Sequence, residues 1–174
     1  TRMTSIRPVD IHWLKGHDDP NDLCAHAGVT FVADGNSIIS ADDGIWTVSA
    51  AAVFLLRTLF REHTSESPIC SHLVPHCGHS MFSSETGEET IIPGCNLGIN
   101  WWVLHKRPHV SLVFNDGTTC SLRLKEWRDA VYAFSDAVST FYCQSARKTP
   151  DEGHAEHYAT FRSEWKRLRE ARVP

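Results

Sequence analysis

The last third of the chain carries a helical pattern of apolar positions. Its first apolar stripe steps by four and three residues: Trp127, Val131, Phe134, Val138 and Phe141. Its second follows a loop at 146–153 and consists of Tyr158, Phe161, Trp165 and Leu168. This spacing is typical of amphipathic helices that bury one face. The pattern therefore predicts two C-terminal helices that pair antiparallel and pack on one face of a sheet.

A different pattern fills residues 50–60, where nearly every position is apolar and only Arg57 and Thr58 interrupt the run. A helix that is apolar on most sides lies inside a protein rather than on its surface. We therefore expect a buried helix at about 48–62.

Short apolar runs broken by turn residues occupy most of the remaining chain. Asp34-Gly35 is a strong hairpin signal within residues 25–40, and Asn115-Asp116-Gly117 marks another turn. These runs predict an antiparallel β-sheet of five to seven strands. The expected fold is a single α+β domain over residues 1–174, strand-rich at 1–124 around the buried helix and helical at 125–172.

The composition narrows the class of protein. Apolar residues make up 41% of the chain and charged residues 22%, which is typical of a folded domain. The net charge of −4 argues against a nucleic-acid partner, whose binding domain would usually be basic. The longest apolar run, 50–56, is too short to span a bilayer, so no membrane partner is expected. Without a signal-peptide pattern at the N-terminus, and with six Cys but no CxxC pair, we expect a cytoplasmic protein with reduced thiols.

One ten-residue segment concentrates soft metal ligands, and a further cysteine follows it. The candidate metal ligands are Cys70, His72, His76, Cys77, His79 and Cys95. Zinc prefers four Cys or His ligands, two of them usually in a tight turn, which Cys77-Gly-His79 offers. Its one-residue spacer is shorter than the usual two to four, and the chain has no second turn of this kind. A zinc site, as in a zinc-binding protein or a metal-dependent hydrolase, and a set of ordinary packing residues both remain open; no other cofactor is expected.

Templates for other chemistry are weak or missing. Cys24-Ala-His26 places a thiol and an imidazole on one strand face, but neighbours in sequence rarely form a catalytic pair. The chain has no Gly-x-Ser-x-Gly motif, no phosphate-binding loop and no dinucleotide fingerprint. The sequence thus leans away from an enzyme.

Acidic side chains gather in the first two-thirds of the chain. Residues 1–120 hold 13 acidic and 7 basic side chains, whereas 121–174 hold 8 and 10. The candidate partner-binding residues are Asp18, Asp19, Asp22, Asp42 and Asp43, together with Trp102 as an aromatic anchor. Calcium binding and plain solvated loops are the alternatives for these carboxylates.

Four blocks of the chain carry a resemblance. WTVSAAAVFLLRTL (46–59), HLVPHCGHSMF (72–82), IPGCNLGINWWV (92–103) and FSDAVSTFY (134–142) look similar to a group of small bacterial α+β proteins without assigned chemistry. In size, acidity and mixed pattern the chain also resembles the immunity proteins of bacterial polymorphic or contact-dependent toxins. The second resemblance implies a protein partner, a cognate toxin domain whose basic surface or active site is occluded.

Overall fold

The central strand of the N-terminal sheet is long and almost fully buried. The structure is a computed structural model that describes residues 2–174. Strand β2 (Ala25–Ala33) pairs antiparallel with β1 (Ser5–Trp13), β3 (Asn36–Ile39) and β4 (Trp46–Thr47). Asp34 and Gly35 join β2 to β3 with positive φ values of 49° and 79°, as a tight hairpin turn requires. The predicted hairpin is confirmed.

A second sheet is the antiparallel meander β9 (Trp102–Lys106), β10 (His109–Val113) and β11 (Thr119–Arg123). Two short ladders complete the strands: β5 (Val74–Pro75) with β8 (Gly98–Ile99), and β6 (Phe82–Ser83) with β7 (Thr90–Ile91). The α+β class with antiparallel strands is confirmed.

The prediction of one sheet with five to seven strands is wrong, since the strands form four separate sheets. The first two sheets meet through side chains instead of backbone hydrogen bonds. Phe31 of β2 packs against Trp101 and Phe114, with ring centroids 4.8 and 6.0 Å apart. The β5–β8 ladder contains Pro75 and Gly98 and is only two residues long on each side. Proline cannot donate a backbone hydrogen bond to a ladder, and glycine weakens a strand.

Helix α1 (Val48–Arg57) is the predicted central helix, and every one of its residues is buried. It ends five residues before the predicted limit, with tight turns over Thr58–Phe60. Trp127 donates its indole N–H to Thr58 Oγ1 at 2.9 Å and so ties α1 to the next helix.

The two C-terminal helices are α2 (Leu124–Gln144) and α3 (Ala155–Glu170). They run antiparallel. Arg169, near the end of α3, pairs with Asp136 in the middle of α2, whereas Trp165, one turn earlier in α3, packs against Tyr142 near the end of α2. Helix α2 lies against β1 and α1, whereas α3 lies against α1 and the β6–β7 hairpin. Within residues 2–174, no helix is both long and apolar enough to cross a membrane.

Candidate metal centre

Strand pairing brings together three of the six predicted metal ligands. Val74 pairs with Ile99 and Pro75 with Gly98, and the His76 N–H donates to Leu97 O at 3.1 Å. The two chain segments separate just beyond this last bond. Cys77 and Cys95 therefore stand beside each other at the end of the β5–β8 ladder.

Contacts with the core fix the His76–Gly78 segment. Thr47 donates its hydroxyl to His76 O at 2.9 Å, and the Cys24 thiol donates to Gly78 O at 3.4 Å. A Cβ on Gly78 would lie 3.0 Å from side-chain atoms of both Thr47 and Ala50. Only glycine lets the chain approach the start of α1 this closely, so the core holds the ligand-bearing segment in place.

The ligand atoms of His76, Cys77 and Cys95 lie within 4.8 Å of one another. His76 Nδ1 is 3.5 Å from Cys77 Sγ and 3.9 Å from Cys95 Sγ. With zinc–sulfur bonds of about 2.3 Å and zinc–nitrogen bonds of about 2.0 Å, a tetrahedral ion separates such atoms by about 3.5–3.8 Å. The 3.5 Å distance to Cys77 matches this requirement and the 3.9 Å distance to Cys95 is slightly longer, so an ion would fit once the three ligand atoms move closer together.

The two thiols influence each other's ionisation. The neighbouring Cys77 thiol, together with the backbone of Leu97 and with His76, lowers the pKa of Cys95 to about 7. The same contact raises the pKa of Cys77, because a second negative charge beside the first is unfavourable. The pair thus offers one thiolate near neutral pH, and a cation would draw off the second proton.

The other predicted metal ligands do not join this cluster. Cys70 is largely enclosed, and burial raises the pKa of its thiol to about 12. His72 packs against Gly98, where an added Cβ would lie 2.5 Å from the imidazole Cγ. His79 stacks on His26 with ring centroids 5.1 Å apart. Among residues 2–174, only His76, Cys77 and Cys95 lie close enough together to be able to hold a metal ion.

The predicted acidic surface is used mainly for contacts within the chain. Asp18 accepts bonds from Ala146 N–H and Lys148 Nζ, and the latter also stacks over Trp13. Asp19 pairs with Lys15, and Asp22 accepts the backbone N–H groups of residues 14 and 24. These carboxylates tie down the 14–24 loop, and their role toward a partner stays a prediction.

The remaining predicted partner residues divide into exposed and half-buried ones. Asp42 and Asp43 are exposed on a short 3₁₀ turn, where Asp43 accepts the Ser40 N–H at 2.8 Å. Trp102 is half-buried and packs on His63 at 5.0 Å, while its neighbour Trp101 is fully buried.

One pair of functional type was missed in the sequence because its members lie 74 residues apart. Ser83 Oγ is 3.1 Å from His157 Nδ1, a distance seen in nucleophile–base pairs. The same Nδ1 already accepts the Ser83 backbone N–H at 2.9 Å. Its lone pair is occupied, so the contact fastens the β6–β7 hairpin to α3 and does not supply a general base.

Comparison of the chain with protein-family models, with curated proteins and with solved structures finds no match. The chemistry of the site is therefore inferred from this chain's own residues.

Proposed function

We propose that this protein binds a thiophilic metal ion, Zn²⁺ in the first instance, through His76 Nδ1, Cys77 Sγ and Cys95 Sγ. The observation that carries the proposal is the spacing of these three atoms, which lie within 4.8 Å of one another and so come close to three corners of a zinc tetrahedron. Two thiolates and one imidazole are soft to borderline ligands, which favour Zn²⁺ or Cu⁺ over Mg²⁺ or Ca²⁺.

The proposed centre leaves a fourth coordination position to water or an outside ligand. Three protein ligands with one open position are typical of zinc sites that exchange ligands, whereas purely structural sites are closed by four. His76 is exposed and both thiols are partly exposed, so the open position faces solvent. A cytoplasmic location fits this proposal, since both thiols have to stay reduced.

Metal analysis of protein purified under reducing conditions and without chelator tests the proposal. We expect about one equivalent of zinc, and, after substitution with Co²⁺, the absorption of thiolate-to-metal charge transfer. Mutating a residue that only hydrogen-bonds to a metal ligand lowers metal affinity by about 10- to 100-fold. Replacing a ligand itself should cost at least as much, so Cys95→Ser should weaken zinc binding by more than about tenfold.

Cys143→Ser is the matched control, because Cys143 is an exposed thiol on α2. It should bind zinc like the unaltered protein. Zinc below about a tenth of an equivalent, or equal loss in Cys95→Ser and Cys143→Ser, would overturn the proposal.

A second proposal is an inhibitory binding protein of the immunity type, acting on a cognate toxin domain. One observation favours it: the exposed acidic turn at Asp42 and Asp43 continues into Ile45, an apolar side chain that is 49% exposed. Acidic groups beside an exposed apolar anchor are suited to a basic protein surface.

Protection against a toxin encoded by the adjacent gene tests this second proposal. An Asp42→Lys/Ile45→Asp variant should lose protection, whereas Glu85→Lys at the exposed tip of the β6–β7 hairpin should keep it. Full protection by the double variant would remove this turn from the interface.

A further inference from the structure

A second site of binding character lies where the β9–β10 turn meets the first turn of α2. It is a surface cavity of about 530 Å³, within the range of small-molecule pockets. Its lining residues are Arg107, Pro108, Arg123, Leu124, Lys125, Arg128, Val173 and Pro174. Two backbone links create it: His109 pairs with Arg123, and the Leu124 N–H donates to Pro108 O at 2.8 Å.

The lining is strongly basic although the whole chain is acidic. Arg107, Arg123, Lys125 and Arg128 contribute four positive charges, and none of the cavity's lining residues within 2–174 has an acidic side chain. Glu126 pairs with Arg123, and Asp129 pairs with Lys125 and Arg128. Both carboxylates line a neighbouring cavity, and their ion pairs offset part of the positive charge of Arg123, Lys125 and Arg128.

Among the four basic residues of the cavity, Arg107 is the one most available to bind an outside ligand. Its side chain is exposed and makes no hydrogen bond or ion pair within residues 2–174. A guanidinium offers several N–H donors in a planar fork that suits phosphate oxygens. An anion bound in this cavity would supply the acceptor that the Arg107 guanidinium lacks within residues 2–174.

The start of α2 adds a directional contribution. The first amides of a helix have no acceptor within it, and the aligned peptide dipoles place partial positive charge there. Helix α2 is 21 residues long and begins at Leu124 in the wall of the cavity. The Glu126 carboxylate accepts the Arg123 N–H at 3.0 Å, and the Leu124 N–H donates to Pro108 O. The Lys125 N–H, at the second position of the helix, has no acceptor within the helix.

Apolar surface lies beside the cationic groups. Pro108, Leu124 and Val173 line the same cavity and offer contact to a planar or aliphatic group. A bare phosphate ion would use only the charged part of this surface. We propose that the cavity binds a phosphate monoester carrying an apolar or planar group, with a mononucleotide as the fitting soluble example.

Binding of AMP, adenosine and inorganic phosphate by calorimetry tests this site. We expect saturable AMP binding with a Kd below about 1 mM, and adenosine at least about tenfold weaker, because charged hydrogen bonds to the phosphate are lost. Vesicles of phosphatidylcholine with phosphatidic acid form a parallel arm that distinguishes a lipid phosphate from a soluble one. Binding in either arm supports the phosphate site, provided the variants below behave as stated.

The deciding variant is Arg107→Glu/Lys125→Glu, matched by Arg147→Glu/Lys166→Glu, which makes the same charge change at two exposed residues outside the cavity. The first should weaken phosphate binding by more than about tenfold, and the second by less than about threefold. The proposal is overturned if no phosphate compound binds, if adenosine binds as well as AMP, or if both double variants lose affinity equally. Zinc content in the first variant should stay unchanged, since it leaves the metal ligands intact.

Discussion

The ion pair between Arg57 on α1 and Glu164 on α3 gives the sharpest stability prediction. Arg57 donates Nε to Glu164 Oε1 at 2.7 Å and Nη2 to Glu164 Oε2 at 3.1 Å, with side-chain exposures of 7% and 1%. The same Nη2 donates to Thr90 O at 2.6 Å, and the Thr90 N–H donates to Glu164 at 2.7 Å. One charged pair thus joins two helices and the β6–β7 hairpin.

Removing one partner leaves the other charge buried and unpaired. Glu164→Ala should therefore lower the free energy of unfolding by about 3–5 kcal/mol. For a domain of this size, each kcal/mol shifts Tm by about 2–4 °C, so Tm should fall by about 6–20 °C. Replacing both partners by apolar residues removes the unpaired charge, and Arg57→Met/Glu164→Leu should recover most of the loss.

Denaturant unfolding followed by tryptophan fluorescence measures these differences, because Trp101 and Trp127 are fully buried and become exposed on unfolding. Glu89→Ala is the control: it breaks the exposed Arg61–Glu89 pair one residue from Thr90 and should cost less than about 1 kcal/mol. If Glu164→Ala costs no more than Glu89→Ala, or if the double variant is as unstable as Glu164→Ala, the account of this ion pair is wrong.

Three further predictions concern titration, alkylation and packing. Burial, with smaller effects of His79 and His12, lowers the pKa of His26 below its unfolded value of about 6.5. At pH values below about 6.5 the unfolded chain protonates this histidine more readily than the folded chain does. The contribution of His26 to the free energy of unfolding should therefore be constant above about pH 6.5 and decline as the pH falls below it. His26→Gln should flatten this decline when the free energy of unfolding is measured over a pH series. In metal-free protein at pH 7.5, iodoacetamide should modify Cys95 well before Cys24, whose pKa burial raises to about 12. Peptide mass spectrometry would show the order, and equal rates would contradict the site's geometry. Gly98→Ala should lower Tm and broaden the amide spectrum near β5, because its Cβ would overlap His72, and an unchanged Tm would refute this packing.

Local patterns made the helices and turns predictable. The four-and-three spacing of α2 and α3 and the positive-φ turn at Asp34-Gly35 depend on residues close together in sequence. The division of the strands into four sheets was not predictable in this way. It depends on Phe31 meeting Trp101 across the core, a contact between residues 70 positions apart.

The region of the candidate metal centre was predicted from the sequence, but not which of the six residues come together in it. Six candidate ligands share the right chemistry, and only the end of the β5–β8 ladder decides that Cys95 meets Cys77. His72 packs against Gly98 and His79 stacks on His26, so neither joins the candidate metal centre. These contacts cannot be read from the spacing of residues in the sequence. The basic cavity was not predicted at all, because Arg107 and the start of α2 come together only through strand pairing.

The β6–β7 hairpin belongs to segment 78–94, which is flanked by the candidate metal ligands Cys77 and Cys95. The hairpin is fastened to α3 through Ser83 and to the Arg57–Glu164 pair through Thr90. The base of the segment is closed by the short β5–β8 ladder and by the bonds that Thr47 and Cys24 donate to the carbonyl groups of residues 76 and 78. A cross-link around a loop of about 15 residues removes about 3 kcal/mol of chain entropy from the open state. A bound ion would add such a cross-link to these contacts, so segment 78–94 would open less often in the loaded protein and its amide hydrogens would exchange more slowly.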